Sequence, residues 1–289
     1  MSNLDMITQA HFDWMTFTKH YDPGVDVPTS RADATAVAYK ALADSNLDNY
    51  LLTFIKGLPF YTWAFLDRNS GVKIYVSPLL KQGIMIVVDG DSCSRLDTGS
   101  VLFCERLNAA GWKCTRCDVA IDLFYWGITA ENFADAYELT HTGETRTISI
   151  IKSVNGSTFY VGSRKSAFYL RVYDKGLQQR TDMPWTRIEI EIKGLPANTI
   201  MQKAGSAIQQ GVSAISAILG EAVPSRLALK LAELSAGEIC PQSTQPTMKG
   251  NTELWLESQV LPAFRKIAEN NPEFARDYVC QLLEIVAVG

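Results

Sequence analysis

Along the first two thirds of the chain, apolar positions mostly alternate with polar ones. That period of two predicts strands. Residues 12–18 (FDWMTFT) mix aromatic and β-branched side chains and read as a first strand. The Ala-rich stretch 31–45 has helical propensity. Residues 60–66 and 71–77 are strand-like, and the turn composition DRNSG at 67–71 predicts a hairpin. Residues 83–88 (GIMIVV) form a short apolar run that ends in the turn pair Asp89-Gly90. Residues 100–110 read as helical, and 113–125 alternate like a strand. Thr129 is placed to cap a short helix with Phe133 and Tyr137 on one face.

The clearest local signal lies between 145 and 193. The runs 145–153 and 157–163 meet at Asn155-Gly156, which supplies the two positive φ angles of a type I′ hairpin turn. Residues 168–174 and 186–193 add two more strand patterns, so an antiparallel meander is expected. After Gly194 the strand signals stop. Leu227, Leu231 and Leu234 are spaced as one helix face. Residues 241–252 (PQSTQPTMKGNT) read as a linker. Leu256, Val260, Phe264 and Ile267 line a helix bent at Pro262, and Asn271-Pro272 opens a last helix with Phe274, Tyr278, Leu282 and Ile285 as its stripe. The expected class is α+β: an antiparallel, palm- or RRM-like sheet over 1–195 as the catalytic domain, and a helical C-terminal region over 196–289.

Composition changes this picture little. At 47% apolar and 20% charged, the 289 residues exclude a disordered, collagenous or repeat-built chain. The net charge of -4 gives no globally basic nucleic-acid binder. Its distribution is more informative: 150–193 carry eight Lys/Arg against four Asp/Glu, whereas 205–289 carry six against nine. A basic segment beside carboxylates fits a surface that holds a phosphate backbone near a metal, and equally a solvated strand face. The polar residues after Met1 show no signal peptide, and 204–220 is too polar to span a bilayer, so a cytoplasmic protein without membrane contact is expected. Cysteines at 93, 104, 114, 117, 240 and 280 show no disulfide framework and read as free thiols; Cys114 and Cys117 form a lone CxxC with no second pair to complete a zinc site.

Three segments carry candidate chemistry. In 116–122 (RCDVAID), Arg116, Asp118, Ala120 and Asp122 share one strand face, opposite Cys117, Val119 and Ile121. In 186–193 (TRIEIEIK), Arg187, Glu189, Glu191 and Lys193 face away from three Ile, the pattern of a half-buried antiparallel strand. Each is explained by a solvent face with ion pairs. Side by side in one sheet, they also make a hard-cation site of carboxylate oxygens for Mg²⁺ or Mn²⁺. In the third, Thr158, Tyr160 and Gly162 share a face, Arg164 and Lys165 lie at the following turn, and Arg171, Tyr173 and Lys175 alternate beyond it. Gly162 leaves space beside Tyr160, as where another backbone comes close.

These motifs resemble those of the replication initiators of pT181-type rolling-circle plasmids, a family that includes relaxases of some integrative conjugative elements and phage replication initiation factors. The matching segments, in order, are FDWMTFT, IMIVVDGDSCSRL, RCDVAIDLF, TFYVGSRKS, LRVYDKG and TRIEIEIKG, with a Trp-containing segment near 255. The resemblance implies a site-specific DNA strand-transferase that nicks one strand at an origin, stays joined to the 5′ end through a tyrosine, and rejoins the ends. It implies Tyr160 as nucleophile, with Tyr169 and Tyr173 as alternatives. It implies Asp118, Asp122, Glu189 and Glu191 as the acidic positions around Mg²⁺ or Mn²⁺. Arg164, Lys165, Arg171 and Lys175 would hold phosphate. The implied partners are origin DNA, single-stranded at the nick site, a helicase and polymerase of the host, and a second copy of the chain. With only His11, His20 and His141, the sequence lacks the paired-His metal motif of the wider relaxase superfamily, so carboxylates would hold the metal.

Two other readings fit the same carboxylates. One is a metal nuclease or nucleotidyltransferase on a palm-like sheet, active without Tyr160. The other is a non-catalytic origin-binding protein that tolerates changes on the acidic face.

Overall fold

The computed structural model describes residues 7–22, 24–47, 49–96, 99–141, 146–154 and 156–236, with scattered positions between 265 and 276. Ten strands form one sheet: β1 (Ile7–Lys19), β2 (Leu52–Ile55), β3 (Trp63–Asp67), β4 (Lys73–Val76), β5 (Ile84–Val88), β6 (Lys113–Phe124), β7 (Ile148–Ser153), β8 (Gly156–Val161), β9 (Phe168–Tyr173) and β10 (Trp185–Lys193). Their order is β2-β3-β4-β5-β1-β6-β10-β9-β8-β7. Every ladder is antiparallel. Among the described residues up to 236 the α-helices are α1 (Arg31–Asp44), α2 (Gly90–Leu96), α3 (Ser100–Ala109), α4 (Ala130–Thr140), α5 (Lys175–Gln178), α6 (Leu195–Met201), α7 (Ala207–Leu219) and α8 (Ser225–Ser235). The class is α+β on an antiparallel sheet, as the alternating pattern predicts. The 145–193 run is the expected meander, β7 to β10.

Local chemistry sets the helix starts. Ser30 and Asp33 form a reciprocal capping box on α1, and Thr129 and Asn132 do the same on α4. Asp89 accepts from the backbone N–H and the hydroxyl of Ser92, so the Asp89-Gly90 pair opens α2 rather than a turn. The pattern also does not reveal β2, α5, α6 or α7. The short β2 and α5 offer too few positions for a period. In α7 the run is uncharged and mixes Gln, Gly and Ser with its apolar residues, so no charged face marks it as a helix.

One face of the sheet carries the main core. Cys117, Val119 and Ile121 of β6 and Ile188, Ile190 and Ile192 of β10 pack with buried residues of α1, α3, α4, α6, α7 and α8. Gly211 of α7 brings that helix so close to β6 that a Cβ would lie 2.5 Å from Val119 Cγ2. The opposite face holds a smaller apolar cluster of Tyr61, Ala64, Tyr75 and Val87, flanked by Trp14, Ile55 and Met85. Beside it lie the charged residues of β6 and β10. Those strands are buried on both faces, not half-buried: Asp118 is 1%, Glu189 2% and Glu191 6% exposed. Ion pairs roof that side of the sheet.

Cys93, Cys104, Cys114 and Cys117 are free and buried, and burial pushes all four thiols up. Among the described residues no helix is long and apolar enough to cross a membrane. The chain divides into compact units Met1–Ser243 and Thr244–Gly289, and all elements above lie in the first. The linker at 241–252, Cys240, Cys280, the Trp255 segment and the two helix stripes from Leu256 to Ile267 and from Phe274 to Ile285 lie outside the described residues.

Candidate active site on the central strands

Antiparallel register lays the polar side chains out as rows across adjacent strands, about 4.8 Å apart. One row runs His11, Ala120, Glu189, Arg171, Tyr160 from β1 through β6, β10 and β9 to β8. The row on one side is Trp14, Asp118, Glu191, Tyr169. The row on the other is Gln9, Asp122, Arg187, Tyr173, Thr158. The four carboxylates thus surround Ala120, which is fully buried.

Each carboxylate has a cationic partner. Arg116 Nε donates to Asp118 Oδ1 at 2.9 Å, and its Nη2 lies 2.5 Å from Asp118 Oδ2 and 3.1 Å from Glu191 Oε2. Arg171 Nη2 donates to Glu189 Oε1 and lies 3.9 Å from Asp118 Oδ2. Lys193 Nζ is 2.8 Å from Glu191 Oε1. Arg116 and Arg171 therefore each bridge two carboxylates with a single nitrogen. Tyr173 donates its hydroxyl to Glu189 Oε2 at 3.0 Å.

Asp122 stands apart. Arg187 grips both its oxygens, at 2.7 and 2.8 Å, and Trp185 Nε1 donates to Oδ1 at 2.6 Å. His11 Nε2 is 3.7 Å from Oδ2. Arg187 also reaches Asp13 at 2.6 Å, tying β1 to β10 across β6.

Burial pushes the Asp118 carboxyl up to about 7, and Glu189 and Glu191 add to the rise against Arg116. Burial also raises Glu191, but Lys193, Arg116 and Arg171 outweigh it and hold that carboxyl below its usual value. Burial lowers His11, against the pull of Asp122. The Tyr173 phenol is pushed far above its usual value by burial and then by Glu189. The Tyr169 phenol is raised by burial and then by Tyr160.

Tyr160 is half-buried and stacks on Tyr169, ring centroids 5.6 Å apart and planes 14° from parallel. The Arg164 guanidinium lies 5.6 Å from the Tyr169 ring. Arg164 and Lys165 are exposed at the β8–β9 turn. Lys175 begins α5 rather than continuing β9, and it lies near the rings of Tyr173 and Trp185. Gly162 adopts φ +94, and a Cβ there would meet the Phe168 carbonyl at 3.1 Å. The glycine thus answers a close backbone and a left-handed conformation.

Among the described residues, no three His, Cys, Asp or Glu side chains are arranged to hold a metal ion. The donor chemistry nevertheless fits a hard divalent cation. The oxygens of Asp118, Glu189 and Glu191 are buried together, and cationic nitrogens already sit between them. Sequence reasoning misses His11, Asp13 and Trp185 as parts of this face. Alternation along β1 could have pointed to His11 had the strand been regular.

Residues 112–215 match the family model described as replication initiation factor. That span holds every residue of the cluster except those of β1. No curated protein matches the chain in sequence. Among solved structures the fold is similar to the rolling circle replication initiator protein from Geobacillus stearothermophilus, with a TM-score of 0.61 and 17% identity, covering 81% of this chain and 99% of that one.

Proposed function

We propose, from its match to the replication initiation factor model over 112–215 and its fold likeness to a rolling circle replication initiator, that this chain nicks one strand of DNA at an origin by tyrosine transesterification and later rejoins the ends. The observation that carries this reading is the row Glu189, Arg171, Tyr160, which sets a cation and a half-buried phenol beside the carboxylate group. Tyr160 Oη attacks the scissile phosphorus and gives up its proton. The bond from phosphorus to O3′ breaks, and the leaving O3′ takes up a proton to become a hydroxyl. The product is a 5′-phosphotyrosine and a free 3′ end that can prime synthesis. Because a diester replaces a diester, the reverse attack by a 3′-OH reseals the strand without a nucleotide cofactor.

A phenol with a pKa near 10 needs help at neutral pH. Asp118, Glu189 and Glu191 would hold Mg²⁺ or Mn²⁺, which when bound polarises a nonbridging oxygen of the scissile phosphate. Arg171 supplies positive charge beside Tyr160, and Arg164, Lys165 and Lys175 hold flanking phosphates in register. Asp122, saturated by Arg187 and Trp185, fastens β6 to β10 beside the cluster rather than binding the cation. The setting of the activity is the cytoplasm, with single-stranded origin DNA as the substrate and host helicase and polymerase acting downstream.

Tyr173 is the second candidate nucleophile, favoured by its hydrogen bond to Glu189. Its burial counts against it, since the phenol is held neutral. The test is a denaturing gel of the protein with labelled single-stranded DNA and Mn²⁺. A covalent shift supports strand transfer. Cleavage without a shift selects a metal nuclease, and binding without cleavage selects an origin-binding protein.

A further inference from the structure

We infer that Arg116 and Arg171 are exchangeable occupants of the cation position, holding the carboxylates together in the DNA-free protein and moving onto DNA phosphate when a divalent ion enters. The inference rests on the reading of Asp118, Glu189 and Glu191 as the cation site. Three features carry it. Each arginine bridges a pair of these carboxylates through one nitrogen: Arg116 Nη2 between Asp118 and Glu191, Arg171 Nη2 between Glu189 and Asp118. The same carboxylates are the ones that would hold a metal ion. Second, with Lys193 on Glu191, three cations already face three carboxylates. A divalent ion entering such a balanced group is repelled by the charges it must sit beside. A phosphodiester removes that conflict by giving the guanidinium groups another anion, which arginine binds well.

The third feature is in Arg171 itself. Its Nε is buried without a hydrogen-bond partner, and its strand neighbour on the far side from Glu189 is Tyr160. A guanidinium with a spare donor next to the nucleophile is under-satisfied on the carboxylate side. Turning toward a phosphate at Tyr160 supplies the missing acceptor. Arg116 has a comparable route out: its guanidinium carbon lies 4.9 Å from the Trp14 ring and its side chain is 31% exposed. Both residues are positioning residues in this scheme. The consequence is reciprocal coupling: metal and DNA each raise the affinity for the other by the same factor.

The experiment is calorimetric titration of Mn²⁺ into the full chain carrying Tyr160→Phe, which prevents adduct formation. It is run alone and with a short oligothymidylate at a concentration that saturates the protein by fluorescence anisotropy. DNA should tighten Mn²⁺ binding about tenfold. Without DNA, Arg116→Gln and Arg171→Gln should each also tighten it, and the gain from DNA should shrink. Circular dichroism identifies any variant that fails to fold, and the oligothymidylate comparison decides the matter without those variants. Mn²⁺ affinity that is indifferent to DNA, or that falls in folded Arg→Gln chains, overturns the exchange. Asp118→Asn separates the two layers. If Mn²⁺ binds as well without that carboxylate, the cation site itself is misplaced. If Asp118→Asn loses Mn²⁺ while DNA and the arginine variants change nothing, only the exchange fails.

Discussion

Asp122 and Arg187 stand opposite each other on β6 and β10 and form a two-point pair, Nε to Oδ1 at 2.7 Å and Nη2 to Oδ2 at 2.8 Å. Both are buried, and Arg187 also holds Asp13 on β1. The pair thus fastens the three central strands on the face opposite the main core. Arg187→Met would leave two carboxylates beside each other without their cation. Removing one partner of a buried pair costs about 3–5 kcal/mol. Arg187→Lys should recover only part of that, because an ammonium cannot reproduce the fork. Urea denaturation of the three chains measures it; a loss under about 1 kcal/mol for Arg187→Met would mean the pair is solvated in solution.

The legible part of this molecule is the part with a regular period. Ile188, Ile190 and Ile192 alternate with charged residues, so parity alone puts Arg187, Glu189 and Glu191 on one face, and the structure keeps them there. The same parity places Asp118 and Asp122. On β1 the pairing with β6 shifts register between Phe12 and Trp14, and Phe12 and Met15 both reach the core although they are three positions apart. That bulge turns His11 and Trp14 to the same side, which strict alternation does not permit. Partner choice was also hidden. Asp13 meets Arg187 across 174 residues only because β1, β6 and β10 are neighbours in the sheet. Strand order is a property of the whole fold, and no local window contains it.

Gly211 offers a test of packing between α7 and β6. In an isolated helix, Ala in place of Gly gains about 1 kcal/mol. Here the added Cβ would lie 2.5 Å from Val119 Cγ2 and 2.7 Å from Val119 Cβ. The buried, β-branched Val119 has little freedom to turn away. Gly211→Ala should therefore destabilise the chain by about 1–3 kcal/mol. Val119→Ala alone should also cost stability, yet the double variant should be more stable than the sum of the two predicts. Thermal unfolding of the four chains gives the coupling, and simple additivity would rule out the clash.

Asp67 gives a pH prediction away from the site. Its carboxylate accepts from the Ser70 N–H at 2.9 Å, the Ser70 hydroxyl at 2.5 Å and the Leu51 N–H at 2.7 Å, holding the β3–β4 turn and the start of β2. Burial raises this carboxyl, but those hydrogen bonds outweigh it and keep it below the usual value of 3.8. A depressed carboxyl contributes stability that is present above its unfolded pKa and is lost as pH falls through the folded one. Asp67→Asn should thus cost about 2 kcal/mol at pH 7. The gap to the parent chain should narrow below pH 3.8. A gap that stays constant down to the acid transition would show that shape, not charge, makes the contribution.

The two tyrosines on the candidate face should separate by chemistry. Tyr160→Phe removes one oxygen from a half-buried ring that stacks on Tyr169, so folding and DNA affinity should hardly change. The covalent adduct should disappear, because no water-derived product contains a tyrosyl linkage. Tyr173 differs in position and in proton affinity. Its hydroxyl is spent on Glu189 at 3.0 Å, and burial keeps it protonated throughout the working range of pH. Tyr173→Phe should therefore still form the adduct, but about tenfold more slowly, since Glu189 loses a hydrogen bond of roughly 1.4 kcal/mol. Mass spectrometry of the peptide joined to the oligonucleotide reads the attachment point directly. Linkage through residue 160, lost in Tyr160→Phe and kept in Tyr173→Phe, is the expected result; linkage through residue 173 would move the nucleophile one row along the sheet and one strand closer to Asp122.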